Sequence, residues 1–234
     1  MIPIRDDAPR YTTPYINYFL LGLNTVVFLL TWLSGPREAQ QIVNVYGMIP
    51  AHTTAFLHGL SGTNSLTAFV PILTSMFLHA SWMHLIFNMW ALYIFGDNIE
   101  DYLGHFWYLF FYLISGFGAA FLHIVMNPNS NVPSVGASGA IAGVMGAYFI
   151  LYPSARVLTL VPFFFIFFVW LPAWIVLGFW FLGQFLSGAA TAIAYASQTT
   201  GGIAFWAHVG GFVTGIAMIK LFPTRPRRYR YFYR

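Results

Sequence analysis

Six apolar stretches limit the folds open to this chain more than any other feature of its sequence. Each is long enough, or nearly long enough, to cross a bilayer, which takes about 20 residues with about 17 to 25 tolerated. Charged residues make up only 7% of the chain, against about 25% in an average soluble domain. We therefore predict an all-α polytopic membrane protein with six transmembrane helices, at residues 17–33, 80–96, 105–126, 138–152, 161–187 and 202–221.

The segments around these stretches divide the chain into three parts. Residues 1–16 form a polar N-terminal segment, residues 17–221 the six-helix membrane domain, and residues 222–234 a basic tail. The first loop, 34–79, is interrupted by glycine and proline yet remains apolar, so we predict short helices that lie on the membrane surface. Pro172 lies inside the fifth apolar stretch and predicts a kink in that helix.

The basic residues predict how the chain is oriented in its membrane. If the N-terminus is cytoplasmic, all of the ten lysines and arginines except Arg37 lie on the cytoplasmic side. This bias follows the positive-inside rule, so we expect a multi-pass protein of the cell membrane with both termini cytoplasmic. The tail carries five of these charges, and such a cluster beside a span indicates contact with anionic lipid headgroups rather than with nucleic acid. Its members are Arg225, Arg227, Arg228, Arg230 and Arg234.

A polar side chain inside a predicted span is costly and is therefore a candidate for function, and three such side chains matter most here. His84 is in the second span, Ser138 begins the fourth and His208 is in the sixth. At about 1.5 Å per residue, they lie about 18, 21 and 20 Å from the cytoplasmic ends of their spans. In a hydrocarbon core about 30 Å thick, all three are then about 9–12 Å below the outer surface. Three separate helices thus place polar groups in one layer, as a submerged active site requires.

Small residues predict that the fourth and sixth spans pack closely together. In the sixth span, a GxxxG motif joins Gly211 to Gly215 and shares a helical face with His208. In the fourth span, small residues flank Ser138 at Gly139, Ala142, Gly143 and Gly146. Packing of these two faces would bring His208 towards Ser138.

Ser138 and His208 are the residue types that acyl transfer needs. A serine hydroxyl becomes nucleophilic when a base takes its proton, and a partly buried neutral imidazole can accept that proton. No acidic residue lies at this depth, so we predict a Ser–His dyad. Asn88 lies on the same helical face as His84, and its amide can donate to an oxyanion, as can the Ser138 backbone N–H at a helix N-terminus. We expect no metal and no cofactor, and the lack of cysteine excludes thiolate chemistry.

Several motifs resemble those of the rhomboid family of intramembrane serine proteases, in its prokaryotic six-span form. Gly136-Ala137-Ser138-Gly139 resembles the family's nucleophile motif, and Ala207-His208-Val209-Gly210-Gly211 resembles its sixth-span histidine motif. His79 with His84-Leu85-Ile86-Phe87-Asn88 is similar to the second-span signature, and the segment 95–101 also resembles the family. The likeness extends over residues 46–216, although the first loop lacks the Trp-Arg pair that many members carry.

The resemblance implies a catalytic dyad of Ser138 and His208, with oxyanion contacts from His84 and Asn88. We interpret His79 as a supporting, structural residue that holds the first loop or the second span. It also implies cleavage of single-span membrane proteins near the outer end of their transmembrane helix, usually after a small residue. The fifth span and the loop before the sixth would act as gates. Supporting roles in packing fall to Gly136, Gly139, Gly211 and Gly215.

Three other functions are compatible with parts of this pattern. A catalytically inactive rhomboid-like protein would bind membrane clients, although such proteins usually lack the serine or the histidine that this chain retains. A channel or transporter would also use polar residues within spans, but the two halves of the chain show no inverted repeat. A zinc-dependent membrane hydrolase would use histidines, but the chain has no H-E-x-x-H motif.

Overall fold

The computed structural model describes residues 1–60, 62, 64–163, 165–194 and 204–224. Helices account for most of these residues, which confirms the predicted helical membrane protein, and a small sheet accompanies them. The helices are α1 (Tyr15–Leu33), α2 (Pro36–Tyr46), α3 (Pro50–Leu57), α4 (Ser65–Thr74), α5 (Trp82–Leu103), α6 (His105–Met126), α7 (Ser138–Leu151), α8 (Ala173–Ala194) and α9 (Phe205–Met218). The strands are β1 (Ile2–Asp6), β2 (Arg156–Phe163) and β3 (Phe165–Pro172).

Helix length distinguishes two groups among the predicted spans. Within the described residues, α1, α6 and the first nineteen residues of α8 are long and apolar enough to cross a membrane, and α4 with α5 forms a fourth candidate bent by 77°. Helices α7 and α9 are apolar but have only 14 residues each, a length of about 21 Å. The six-span count is therefore not confirmed by length and hydropathy.

The short helix α7 lies at the centre of the fold. All ten residues from Gly139 to Tyr148 are buried, and α7 packs against α5, α6, α8 and α9. A helix that is apolar on every side and buried on every side belongs to a protein core. Because neighbouring helices surround it, α7 does not need the full length of a lipid-facing span.

A buried glutamate near the C-terminal end of α5 links α1 to α5. Glu100 is fully buried and accepts hydrogen bonds from the backbone N–H groups of Ile16 (3.0 Å) and Asn17 (2.7 Å). These donors belong to the first turn of α1, where backbone N–H groups have no partner within the helix. His105 Nδ1 lies 2.5 Å from the same carboxylate. Glu100 thus fixes where α1 begins.

A three-stranded antiparallel sheet joins the N-terminal segment to the connection between α7 and α8. Strand β1 pairs with β2, and β2 pairs with β3. The guanidinium groups of Arg5 on β1 and Arg156 on β2 lie 5.4 and 6.0 Å from the ring of Trp170 on β3. Tyr148 donates a hydrogen bond to Asp6, so the sheet is also fastened to the end of α7. The sequence patterns did not predict these strands.

The sheet corrects the prediction for the fifth span. The stretch 161–187 is not one helix, because residues up to Pro172 belong to the hairpin of β2 and β3 and the helix α8 begins at Ala173. Pro172 therefore ends a strand and does not kink a helix. Proline has no backbone N–H to donate to a ladder, and the end of a strand is a place where it is tolerated.

The first loop contains the short helices that the sequence predicts. Helices α2, α3 and α4 all lie between residues 36 and 74, and proline stands at the start of both α2 and α3. Their position on the membrane surface stays a prediction. The basic tail, except for residues 222–224, lies outside the described residues, as does most of the loop that precedes α9.

Candidate active site

The two predicted catalytic side chains are in direct contact. Ser138 is the first residue of α7, and His208 lies one turn into α9. His208 Nε2 is 2.7 Å from Ser138 Oγ, a normal distance for a hydrogen bond to a hydroxyl. Both side chains are half-buried. A base within hydrogen-bond distance of a serine hydroxyl is the arrangement that activates the serine as a nucleophile.

Glycines on α7 and α9 make this contact possible. A Cβ atom added at Gly211 would lie 1.9 Å from the carbonyl oxygen of Gly139, and one added at Gly215 would lie 2.0 Å from that of Gly143. Real Cβ atoms do not approach backbone oxygens so closely. The two helices can therefore be this close only because these positions lack side chains, and the predicted packing of small residues is confirmed.

His84 reaches the site from α5, and the glycine before the nucleophile makes room for it. Gly136 has a φ of +131°, a region that residues with a side chain rarely adopt. A Cβ atom at Gly136 would lie 2.7 Å from both Nε2 and Cε1 of His84 and 3.6 Å from Ser138 Oγ. The His84 ring and the serine hydroxyl thus both lie next to the space that a side chain at Gly136 would occupy. The structure brings the predicted His84, Ser138 and His208 together.

Two further groups could donate hydrogen bonds near Ser138. Asn88 follows His84 by one turn on the same face of α5; its side-chain Nδ2 is buried and has no acceptor among the described residues. The backbone N–H of Ser138 belongs to the first turn of α7, where no acceptor exists within the helix. The partial positive charge of a helix N-terminus adds to the attraction for an anion there.

His79 supports the site from behind His84. Its side chain is only 4% exposed, and its ring lies 5.1 Å from the His84 ring in an edge-to-face arrangement. Aromatic pairs prefer this geometry, in which the edge of one ring meets the face of the other. His79 therefore limits the orientations open to His84, and its structural role stays a prediction.

A small cavity opens beside the serine. It has a volume of about 40 Å³, and its lining includes Ser138, Gly136, Ser134, Met76 and Ala207. A cavity must offer about 10–15 Å³ to hold one water molecule, so this one can hold a few. Within the described residues, no three His, Cys, Asp or Glu side chains lie close enough together to hold a metal ion.

One polar residue of the site was not predicted from the sequence. Gln184 lies on α8, and its Oε1 is 2.6 Å from Nδ1 of His208. The sequence contains a signal for it, because Gln184 lies within the fifth apolar stretch and polar residues inside spans are candidates for function. By that rule Gln184 is as much a candidate as His84.

Comparison with known protein families finds one family model whose matched residues include the whole candidate site. The family model described as the Rhomboid domain matches residues 67–225. Among curated proteins, Rhomboid protein 1, mitochondrial, of Saccharomyces cerevisiae is 28% identical over 203 residues, which cover 85% of this chain and 51% of the relative. RHOMBOID-like protein 6, mitochondrial, of Arabidopsis thaliana is 45% identical over 76 residues, 32% of this chain and 24% of the relative.

A bacterial relative extends this comparison to a protein named as a protease. Rhomboid protease GluP of Bacillus subtilis is 30% identical over 137 residues, which cover 57% of this chain and 24% of the relative. This chain thus spans about a quarter to about half of the length of these three curated relatives. Since the matched domain includes α5 to α9 and every residue of the candidate site, the chain belongs to the rhomboid family of membrane proteins.

Proposed function

We propose that this protein is an intramembrane serine endopeptidase in which Ser138 is the nucleophile and His208 the general base. The observation that carries the proposal is the 2.7 Å contact between Ser138 Oγ and His208 Nε2 on two helices that glycines hold together. The similarity to Rhomboid protease GluP supports the same chemistry. The protein would need no metal and no cofactor, because a serine, a base and an oxyanion site suffice for acyl transfer.

The first half of the reaction forms an ester on Ser138. Its Oγ attacks the carbonyl carbon of the scissile peptide bond while its proton passes to His208 Nε2. The carbonyl oxygen becomes an oxyanion, which His84, Asn88 and the Ser138 backbone N–H would stabilise. His208 then gives its proton to the amide nitrogen, the C–N bond breaks, and the amine product leaves.

The second half of the reaction consumes one water molecule. The cavity beside Ser138 has room for it. His208 takes a proton from the water, whose oxygen attacks the ester carbon and again forms an oxyanion in the same site. The bond to Ser138 Oγ breaks, and His208 returns the proton to the serine. The products are a carboxylic acid and the free enzyme, so atoms and charges balance.

The expected depth of the site supports a substrate class. Ser138 begins a short helix packed among other apolar helices, and a site below the membrane surface suits a substrate that itself enters the membrane. We infer a single-span membrane protein, cut near the outer end of its transmembrane helix. We expect a cell membrane location, and the distribution of basic residues supports an orientation with both termini cytoplasmic and thus a site that opens towards the outer face.

Co-expression with a tagged single-span substrate tests the proposal. The substrate carries a helix-weakening segment near its outer end, and the cleaved fragment is measured on a gel. We expect Ser138→Ala and His208→Ala to lower the cleavage rate by on the order of 10³-fold or more. Asn88→Ala should lower it by about 10²- to 10³-fold, since one oxyanion donor typically contributes that much. Addition of a strong chelator should leave cleavage unchanged, and loss of activity would favour the zinc hydrolase.

Two variants serve as matched controls. Ser154→Ala removes an exposed serine in the turn after α7, and His52→Ala removes an exposed histidine of the first loop; neither should change cleavage. Cleavage that persists in Ser138→Ala would overturn the proposal. If no variant and no wild type cleaves, labelling with a fluorophosphonate decides. Labelled Ser138 means an active enzyme without its substrate, and an unlabelled protein would identify an inactive member that binds membrane clients.

A further inference from the structure

The histidine of the site is held by α8 as well as by α9. His208 Nδ1 lies 2.6 Å from Gln184 Oε1, so the two ring nitrogens of His208 have different partners, Gln184 on one side and Ser138 on the other. The ring of Trp180 lies 5.8 Å from the His208 ring at an angle of 37°. Trp180 and Gln184 are four residues apart and therefore lie on one face of α8. On that face, Gln184 contacts a ring nitrogen of His208, and the ring of Trp180 lies beside the ring of His208.

The contact with Gln184 decides which nitrogen of His208 carries the proton. A neutral imidazole has one N–H and one lone pair, and an amide oxygen can only accept a hydrogen bond. If Gln184 Oε1 faces Nδ1, the proton lies on Nδ1, and Nε2 presents its lone pair to Ser138. This is the tautomer that can take the serine proton. The reverse amide orientation would put the proton on Nε2 and leave Ser138 without a base.

The apolar surroundings of Gln184 indicate that its side chain depends on the hydrogen bond to His208. Its neighbours Leu182, Phe185 and Leu186 are all exposed, whereas Gln184 is half-buried and contacts His208 of α9. A polar side chain in an apolar helix is costly unless it is hydrogen-bonded. A carboxylate at this place would bind the protonated histidine more strongly, but it would also bring a charge into the membrane interior. A neutral amide orients the ring without that cost.

We propose that Gln184 is a positioning residue that fixes the tautomer and ring orientation of His208. The inference rests on the proposed function and extends the predicted dyad to a chain of Gln184, His208 and Ser138. Gln184 does not touch the reacting atoms. Its role corresponds to that of the third member of a catalytic triad, which orients the histidine, although here the orienting group is neutral.

The rate of Ser138 labelling by a fluorophosphonate, measured on the purified full-length protein, tests the role without a natural substrate. Gln184→Met keeps the length of the side chain but removes the acceptor, and we expect the labelling rate to fall by on the order of 10²-fold. Gln184→Glu restores an oxygen acceptor and should recover at least about tenfold of that loss. Leu182→Met, an exposed position on the same helix, should label like the wild type.

With the tagged single-span substrate, Gln184→Met should lower kcat and leave KM within about twofold, because the residue acts through His208 and not on the substrate. A labelling rate equal to the wild type would overturn the inference, as would equal losses in the Met and Glu variants. A rise in KM at unchanged kcat would also overturn it and assign Gln184 to substrate binding. Ser138→Ala tests the nucleophile separately. Activity that persists in Ser138→Ala would contradict the proposed function, whereas wild-type activity in Gln184→Met would contradict only the role of Gln184.

A second measurement avoids any change at Gln184. The nitrogen chemical shifts of ¹⁵N-labelled histidine in the Ser138→Ala protein report which ring nitrogen carries the proton, and a His208→Ala sample identifies the His208 signals. We expect the proton on Nδ1. A proton on Nε2 would show that the amide faces the ring through its NH₂ group and would overturn the inference even if every Gln184 variant failed to fold.

Discussion

Single glycines set the distance between the two helices that carry the proposed nucleophile and base. At Gly211 and Gly215 the absence of a Cβ atom lets carbonyl oxygens of α7 lie against the backbone of α9. Without water to drive association, helices in a membrane depend on such close packing and on hydrogen bonds between them. The 2.7 Å contact between Ser138 and His208 therefore depends on glycines that take no part in the proposed reaction.

Replacing Gly211 with alanine should move Ser138 and His208 apart without changing either side chain. The added methyl group would lie 1.9 Å from the Gly139 oxygen, so α9 must move away from α7. We expect a loss of stability of about 1–3 kcal/mol and a large drop in fluorophosphonate labelling of Ser138. Thermal unfolding in detergent and the labelling rate measure the two effects.

Gly183→Ala is the matched control, because nothing lies within 4 Å of a Cβ atom at that position of α8. Alanine in an open helical position should stabilise by about 0.5–1 kcal/mol and leave labelling unchanged. If Gly211→Ala labels as fast as Gly183→Ala, the close approach of α7 and α9 is not what positions His208.

Among the secondary structure elements, β1 ends at two adjacent carboxylates in opposite environments. Asp6 contacts Tyr148 of α7, and Asp7, the next residue, contacts Arg156 at the start of β2. Partial burial raises the pKa of Asp6, although it accepts a hydrogen bond from Tyr148. The hydrogen bonds from the Arg156 backbone and guanidinium lower the pKa of Asp7. The unfolded chain has a carboxyl pKa of about 3.9 at both positions.

These two shifts predict opposite pH dependences of stability. The stability contributed by Asp6 is full below about pH 4 and is lost as the pH rises through its raised pKa. The stability contributed by Asp7 is present above about pH 4 and is lost as the pH falls through its lowered pKa. On raising the pH from about 3 to about 7, the wild type should lose stability relative to Asp6→Asn and gain it relative to Asp7→Asn. Unfolding midpoints in detergent across this range measure both differences, and a change of the same sign for the two variants would contradict the prediction.

The topology of the complete membrane domain depends on whether the short helices cross the bilayer. Helix α7 is about 21 Å long, less than the hydrocarbon thickness of about 30 Å. It can still cross, because α5, α6, α8 and α9 surround it and keep lipid away from its ends. The predicted orientation then places residues 127–137 outside and residues 152–155 inside.

Single cysteines can test this orientation, since the chain has no cysteine of its own. Asn129→Cys and Ser154→Cys both lie at exposed positions on either side of α7. We expect a membrane-impermeant maleimide to label Asn129→Cys in intact cells and Ser154→Cys only after the cells are opened. The reverse pattern would invert the topology. Labelling of both in intact cells would mean that α7 does not cross the membrane.

The sequence by itself was sufficient where the information is local. The apolar stretch 105–126 coincides with α6, and the predicted fourth span differs from α7 by one residue, because a polar or turn-forming segment marks each end. The glycine faces, the polar residues within the spans and the resemblance of the motifs were enough to single out Ser138, His208 and His84. Each of these signals can be read within a few helical turns.

Only the tertiary structure revealed the sheet and the contact of Gln184 with His208. The run of residues 156–172 is apolar and aromatic without a clear period, and such a run does not by itself distinguish a strand from a buried helix. Its strand partner, beginning at Ile2, lies more than 150 residues away in the chain, so the pairing is set by folding and not by local pattern. The proposed role of Gln184 likewise depends on a tertiary contact, because its hydrogen bond to His208 forms only when α8 and α9 are packed together.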